Sequence, residues 1–155
     1  MRYTLEAVAH VRSRRMQAED DNWDAVEASI ELAEGYSEEA LMGLEAFSHV
    51  VVVYLFDQVA PSQVVCSARH PRNNPDWPKV GIFAQRGRKR PNRLGVTTCA
   101  LLGVAGRSLL VRGLDAIDGT PVLDIKPWME SFGPRGVRRE PSWVKELMAD
   151  YWCND

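Results

Sequence analysis

The sequence predicts a mainly β protein, a curled sheet or partial β-barrel with one short helix and a C-terminal helix. Strand patterns dominate it, with alternating or continuous apolar runs of strand length in Tyr3–Val11, Val26–Leu32, Ser48–Phe56, Gln63–Ala68, Val96–Val104 and Ser108–Gly113. Helical spacing is confined to two places, and Gly, Pro, Asn and Asp punctuate the intervals. A chain of 155 residues can bury a core of its own, so a single domain over residues 1–155 is expected.

Tyr3, Leu5, Ala7, Ala9 and Val11 alternate with Thr4, Glu6 and His10, a first strand with one buried face. Arg12–Asp24 has no period and is acidic around Trp23, which reads as a loop. There the indole is either an anchor to the core or an aromatic wall for a stacked base. Val26, Ala28, Ile30 and Leu32 alternate with Glu27, Ser29 and Glu31, and Gly35 ends that strand. Ser37 before Glu38 and Glu39, with Leu41 and Leu44 at helical spacing, predicts about two turns of capped helix.

Ser48–Phe56 is continuously apolar and β-branched, which suits a strand covered on both faces. Asp57-Gln58 closes it. Gln63–Ala68 reads as a further strand, and Pro71, Pro75 and Pro78 stiffen the loop Arg69–Lys79, where Trp77 either caps the core or lines a cleft. Ala105-Gly106-Arg107 joins the next two strands as a hairpin. Met129–Arg139 is a flexible loop; Pro141 then occupies a first helical position ahead of Trp143, Val144, Leu147, Met148 and Tyr151. That apolar stripe needs a core or a second subunit to cover it.

A net charge of −2 exerts no global pull on nucleic acid, so any such affinity has to come from a local patch. Cys66, Cys99 and Cys153 are odd in number and lack C-x-x-C spacing, which speaks against a disulfide framework or a zinc site. His10, His49 and His70 are too scattered to suggest a metal site, and His49 reads as structural. The longest purely apolar run, Val50–Phe56, is far short of the ~20 residues of a membrane helix, and no leader-like segment opens the chain. A soluble, cytoplasmic protein is the expectation.

Two loops hold most of the chemistry. Arg86, Arg88, Lys89, Arg90 and Arg93 cluster without an acid among them, while Gly87, Pro91 and Gly95 fix where the backbone turns. Asp118-Gly119 is a turn dipeptide and Pro121 restricts Thr120 to extended geometry, so Asp118, Thr120, Asp124 and Lys126 emerge from a stiff frame. Neither loop contains a nucleophile–base pair, a Walker lysine or G-x-G-x-x-G. The residues alone permit an anion site or an RNA patch.

Four segments carry a resemblance: Val8-Ala9-His10-Val11-Arg12-Ser13; Gly43-Leu44-Glu45-Ala46-Phe47-Ser48-His49; G-I-F-A-x-R-x-x-x-R-P-N-x-x-G over 81–95; and V-R-G-L-D-A-x-D-G-T-P-V-L-D-I-K-P over 111–127. In this order they resemble the TsaA-like (YaeB/TrmO) family. The resemblance implies a β fold of the TsaA-like type that binds S-adenosylmethionine, forms a symmetric homodimer and methylates threonylcarbamoyladenosine beside the tRNA anticodon. Carried over by position, it implies Gln58, Arg86, Leu94, Asp118, Gly119, Thr120 and Pro121 as cofactor-binding residues. Asp57 stands where the family often has histidine, and Trp128 where it has tyrosine.

By chemistry, Asp124 or Asp118 could accept the proton of an exocyclic adenine nitrogen, with Lys126 and Arg90 orienting an anionic group. Asp124 and Lys126, two apart on one strand, could equally pair with each other. The Arg86–Arg93 loop is the expected tRNA contact. A small-molecule acceptor, or a binding module without turnover, is the alternative to a tRNA substrate.

Overall fold

The computed structural model describes residues 1–153. Its strands are β1 (Ala9–Ser13), β2 (Glu27–Leu32), β3 (His49–Leu55), β4 (Ala68–Arg69), β5 (Val80–Gly81), β6 (Leu94–Ala105), β7 (Ser108–Arg112) and β8 (Pro121–Pro127). Six of them form a closed antiparallel barrel in the order β1-β2-β7-β6-β3-β8, while β4 and β5 form a separate two-stranded ladder. The expected partial barrel is therefore complete. β1 meets β8 through Ala9 and Val122 and through His10 and Pro121, and closure leaves no barrel strand as a free edge.

Alternation decides what fills the interior. Val11, Ile30, Val50, Val52, Tyr54, Leu109, Val111 and Val122 point inward and are fully buried, as a small barrel packed with side chains requires. β3 is sealed on this inner face only: Val51, Val53 and Leu55 are half-buried on the outer wall, so the continuous apolar run does not mark a strand covered on both sides. A Cβ on Gly95 would run into the Tyr54 ring, which explains a residue without a side chain at that level of β6.

Several elements are shorter than their patterns suggest, because partners set their limits. β1 starts at Ala9, since β2 ends opposite it at Leu32; Tyr3 and Leu5 lie outside the sheet and are exposed. The helix expected from Ser37 is two single 3-10 turns, Glu38–Leu41 and Leu44–Ala46, divided by Gly43 at φ 88°. Gln63–Ala68 is not a strand, because a 3-10 turn occupies Pro61–Gln63 and pairing begins only where Ala68 meets Gly81. α1 spans just Trp143–Leu147. Beyond it the carbonyls of Asp150 and Tyr151 accept hydrogen bonds from the amides of Asn22 and Trp23, and these bonds replace further helical turns.

Strand direction gives the barrel two unlike ends. One rim collects Ser13, Glu27, Leu55, Leu94, Arg112 and Pro121, so the connections 14–26, 56–93 and 113–120 all hang from it. The tight Gly106-Arg107 hairpin and the 33–48 connection lie at the opposite end.

Candidate functional site

The 113–120 connection forms a turn stapled to β1. The Asp118 carboxylate accepts the Ser13 amide at 3.0 Å, the Asp118 amide donates to the Arg15 carbonyl at 2.9 Å, and the Gly119 amide donates to Val11 at 2.8 Å. Thr120 is buried, its hydroxyl donating to the Ile117 carbonyl at 2.7 Å. Gly119 has φ 78°, and a Cβ there would meet nothing within 4 Å, so this backbone faces open space. The side chains of Asp118 and Thr120 are engaged in building the turn; what the turn leaves open is main chain.

The basic loop uses its arginines internally. Arg86 donates to the Val96 carbonyl at 2.6 Å, Arg90 to Gln85 at 2.6 Å, and Arg93 to Val59 at 2.6 Å. Asn92 and Arg93 both adopt left-handed backbone, which is uncommon for residues with side chains. Arg86 remains exposed, as does Arg88, and Gln58 lies exposed at the same rim with its amide near Asp57. Leu94 opens β6 and Pro121 opens β8, both half-buried.

Asp124 and Lys126 occupy the outer wall. Val122 is inward and fully buried, and alternation would place Asp124, two residues on, inside as well. A bulge intervenes: Tyr54 pairs with Val122 but Val53 with Asp124, so Leu123 is the extra residue and Asp124 faces outward. There Asp124 binds Lys126 at 2.7 Å, both side chains about half exposed, which is the pairing that their spacing allowed. Val96, Val53 and Asp124 form one row across three strands, so Asp124 faces outward two strands from the Val96 position that holds Arg86. Arg90 does not join this pair; its guanidinium is held by Gln85.

Sequence reasoning missed the carboxylate at the centre of the rim. Asp115 accepts hydrogen bonds from Tyr54 (2.9 Å), Thr97 and Tyr151, a buried tyrosine of the barrel, a barrel threonine and a residue of the C-terminal segment. Burial, and then the Asp115 charge, push the Tyr54 and Tyr151 phenols well above their usual range, so both remain donors. The same causes push the Cys99 thiol up to about 12. The available signal was an acid between Leu114 and Ala116, residues with the apolarity of core positions and in fact buried.

Trp23, Trp77 and His49 have structural roles. Trp23 is 3% exposed, with the Arg15 guanidinium 3.8 Å from its ring centroid and its indole N–H donating to Glu19, so it anchors the loop and has no face for a stacked base. Trp77 donates to Glu146 at 2.8 Å, tying the proline-rich loop to α1. His49 sits 2.7 Å from the Ser48 hydroxyl and edge-on to Trp128.

Fold and site together define a small closed antiparallel barrel whose cationic loop, glycine turn and outward acid–base pair surround one rim and the adjoining wall. The chain belongs to the family described as the tRNA-methyltransferase O N-terminal domain, whose model matches residues 12–133. It is 38% identical over 114 residues to the tRNA (adenine(37)-N6)-methyltransferase of Homo sapiens, covering 74% of this chain and 24% of that protein. A putative S-adenosylmethionine-dependent methyltransferase, RcsF, of Pseudomonas aeruginosa is 39% identical over 106 residues, 68% of this chain and 46% of its own. The crystal structure of TrmO from P. aeruginosa superposes with a TM-score of 0.74 at 30% identity, covering 92% of this chain and 62% of that one. The chain thus spans about a quarter of the human relative and under half of the bacterial one.

Proposed function

We propose that this chain is an S-adenosylmethionine-dependent methyltransferase domain acting on an adenine of tRNA, with N6 of threonylcarbamoyladenosine as its acceptor. The observation that carries the reading is the gathering of Gln58, Arg86, Leu94 and the Asp118–Pro121 turn, far apart in sequence, at one rim of a barrel of this family. These residues fit the cofactor. Arg86 keeps guanidinium N–H groups beyond the one bonded to Val96, suited to a carboxylate, and Gln58 offers an exposed donor and acceptor. Leu94 and Pro121 provide apolar contact, and the open main chain at Gly119 admits close approach.

When bound, S-adenosylmethionine supplies a methyl group already activated on a sulfonium. The protein's part is alignment and exclusion of water, and correct alignment is worth roughly 7–11 kcal/mol of a barrier. Asp124 accepts the proton of the attacking nitrogen, Lys126 holds that carboxylate in place, and Arg90 keeps the basic loop folded through Gln85. Arg88 and Lys89 meet the RNA backbone. The protein acts in the cytoplasm as a homodimer. The outer wall supports a second copy as partner, since Val96 is 44% exposed beside the half-buried Val51 and Val53.

Incubation with labelled cofactor and tRNA carrying threonylcarbamoyladenosine, followed by digestion to nucleosides, is expected to yield a methylated adenosine. Affinity for tRNA is expected to fall steeply with salt, and replacing Arg88 and Lys89 together to flatten that slope by roughly two units. No product, together with salt-insensitive binding, would overturn the tRNA reading in favour of a small-molecule acceptor. Light scattering that returns only monomer at micromolar concentration would overturn the dimer.

A further inference from the structure

We propose that Tyr151 is a positioning residue of this site: its hydroxyl, donated to Asp115, ties the C-terminal segment over the rim and holds the 113–121 loop in the shape that the Asp118-Gly119 turn needs. The proposal rests on the cofactor reading above for its effect on binding. Tyr151 lies beyond residues 12–133, the part matched by the family model, whereas Asp115 lies within it. One carboxylate oxygen of Asp115 takes the Tyr54 and Thr97 hydroxyls from the barrel, and the other takes Tyr151. Asp115 is thus gripped from both sides.

The grip is transmitted over a short path. Leu114 and Ala116 bury their side chains on either side of Asp115, and the Ile117 carbonyl next along accepts the Thr120 hydroxyl that closes the turn. The C-terminal segment is itself fixed to two further rim connections. Its Asp150 and Tyr151 carbonyls take the Asn22 and Trp23 amides, and Glu146 takes the Trp77 indole N–H. Arg86 of the basic loop and Arg72, itself paired with Asp21 at 2.9 Å, both pull the Tyr151 phenol toward its anion. Burial and the Asp115 charge outweigh them, so Tyr151 stays protonated and donates.

The test is Tyr151→Phe in the full chain, which removes one hydroxyl and little volume. Two readouts apply: calorimetric affinity for S-adenosylhomocysteine, and hydrogen exchange of the Ser13, Asp118 and Gly119 amides relative to the core amides of Ile30 and Val52. The expected result is an affinity about tenfold weaker, the loss of one charge-assisted hydrogen bond, with exchange accelerated at the turn and not in the core. Leu109→Ala, a core truncation beside the Gly106-Arg107 hairpin at the opposite end of the barrel, lowers global stability and accelerates core exchange but leaves the affinity of the folded protein unchanged. Asp115→Asn weakens the same bond from its other end and reproduces the pattern should the phenylalanine variant fold poorly. Wild-type affinity with uniform exchange in the Tyr151 variant overturns the proposal. If the wild type binds no S-adenosylhomocysteine, the cofactor reading falls, and the exchange ratio alone decides whether Tyr151 holds the turn.

Discussion

At Tyr54, Cys99 and Tyr151 the protein stores a pH dependence on the alkaline side. Their folded-state values all lie above the ordinary ones, 9.0 for the thiol and 10.0 for the phenols, because burial and the Asp115 charge disfavour the anions. A group held this way contributes stability that is fully present below its unfolded value and is lost as pH climbs toward the folded one. Urea midpoints are therefore expected to hold steady up to about pH 9 and to fall above it. Cys99→Ala flattens the first part of that fall, between 9.0 and about 12, and an unchanged slope in the variant would remove Cys99 from the account. Asp124 behaves differently. Its bond to Lys126 is half exposed, so Asp124→Asn is expected to cost at most about 1 kcal/mol in unfolding experiments. If Asp124 takes the proton, the same variant lowers the methyl-transfer rate by about a hundredfold or more. Large destabilisation with undiminished turnover would contradict both statements.

Among the elements, the turn at Gly119 carries the sharpest expectation. A left-handed φ of 78° disfavours any side chain, so Gly119→Ala costs about 1 kcal/mol of stability. Because the space beside it is open, the added methyl group enters the region assigned to the cofactor, and calorimetry on the folded variant should show weaker binding of S-adenosylhomocysteine. Unchanged affinity would remove the turn from the site. The elements also show what could be read without a structure. Val26–Leu32 was legible because one buried face imposes strict alternation, and the two site loops were legible from Gly, Pro and clustered charge. The 37–44 helix was not, because Gly43 takes a left-handed backbone that single-residue propensity does not signal. The outward turn of Asp124 was hidden for a related reason: it depends on the bulge at Leu123, and a bulge is a relation between two strands. Asp115 was concealed by its own setting, since an acid between apolar residues looks like a surface residue until Tyr54, Thr97 and Tyr151 are seen to converge on it.

For the whole molecule, the ring is closed by its first and last barrel strands. Pairing of Ala9 with Val122 joins the two ends of the barrel sequence, and the C-terminal segment then returns to Asn22 and Trp23. Contacts this distant along the chain make folding slow, and stopped-flow refolding is expected on a timescale of about milliseconds to seconds. Microsecond folding would contradict this. The same closure governs the order of events at the ribosome. While β8 is still inside the exit tunnel, β1 has only β2 beside it and β3 only β6, so the nascent chain carries two open sheet edges until β8 emerges. A barrel that finishes with no exposed edge is therefore most in need of a chaperone in the interval before β8 emerges.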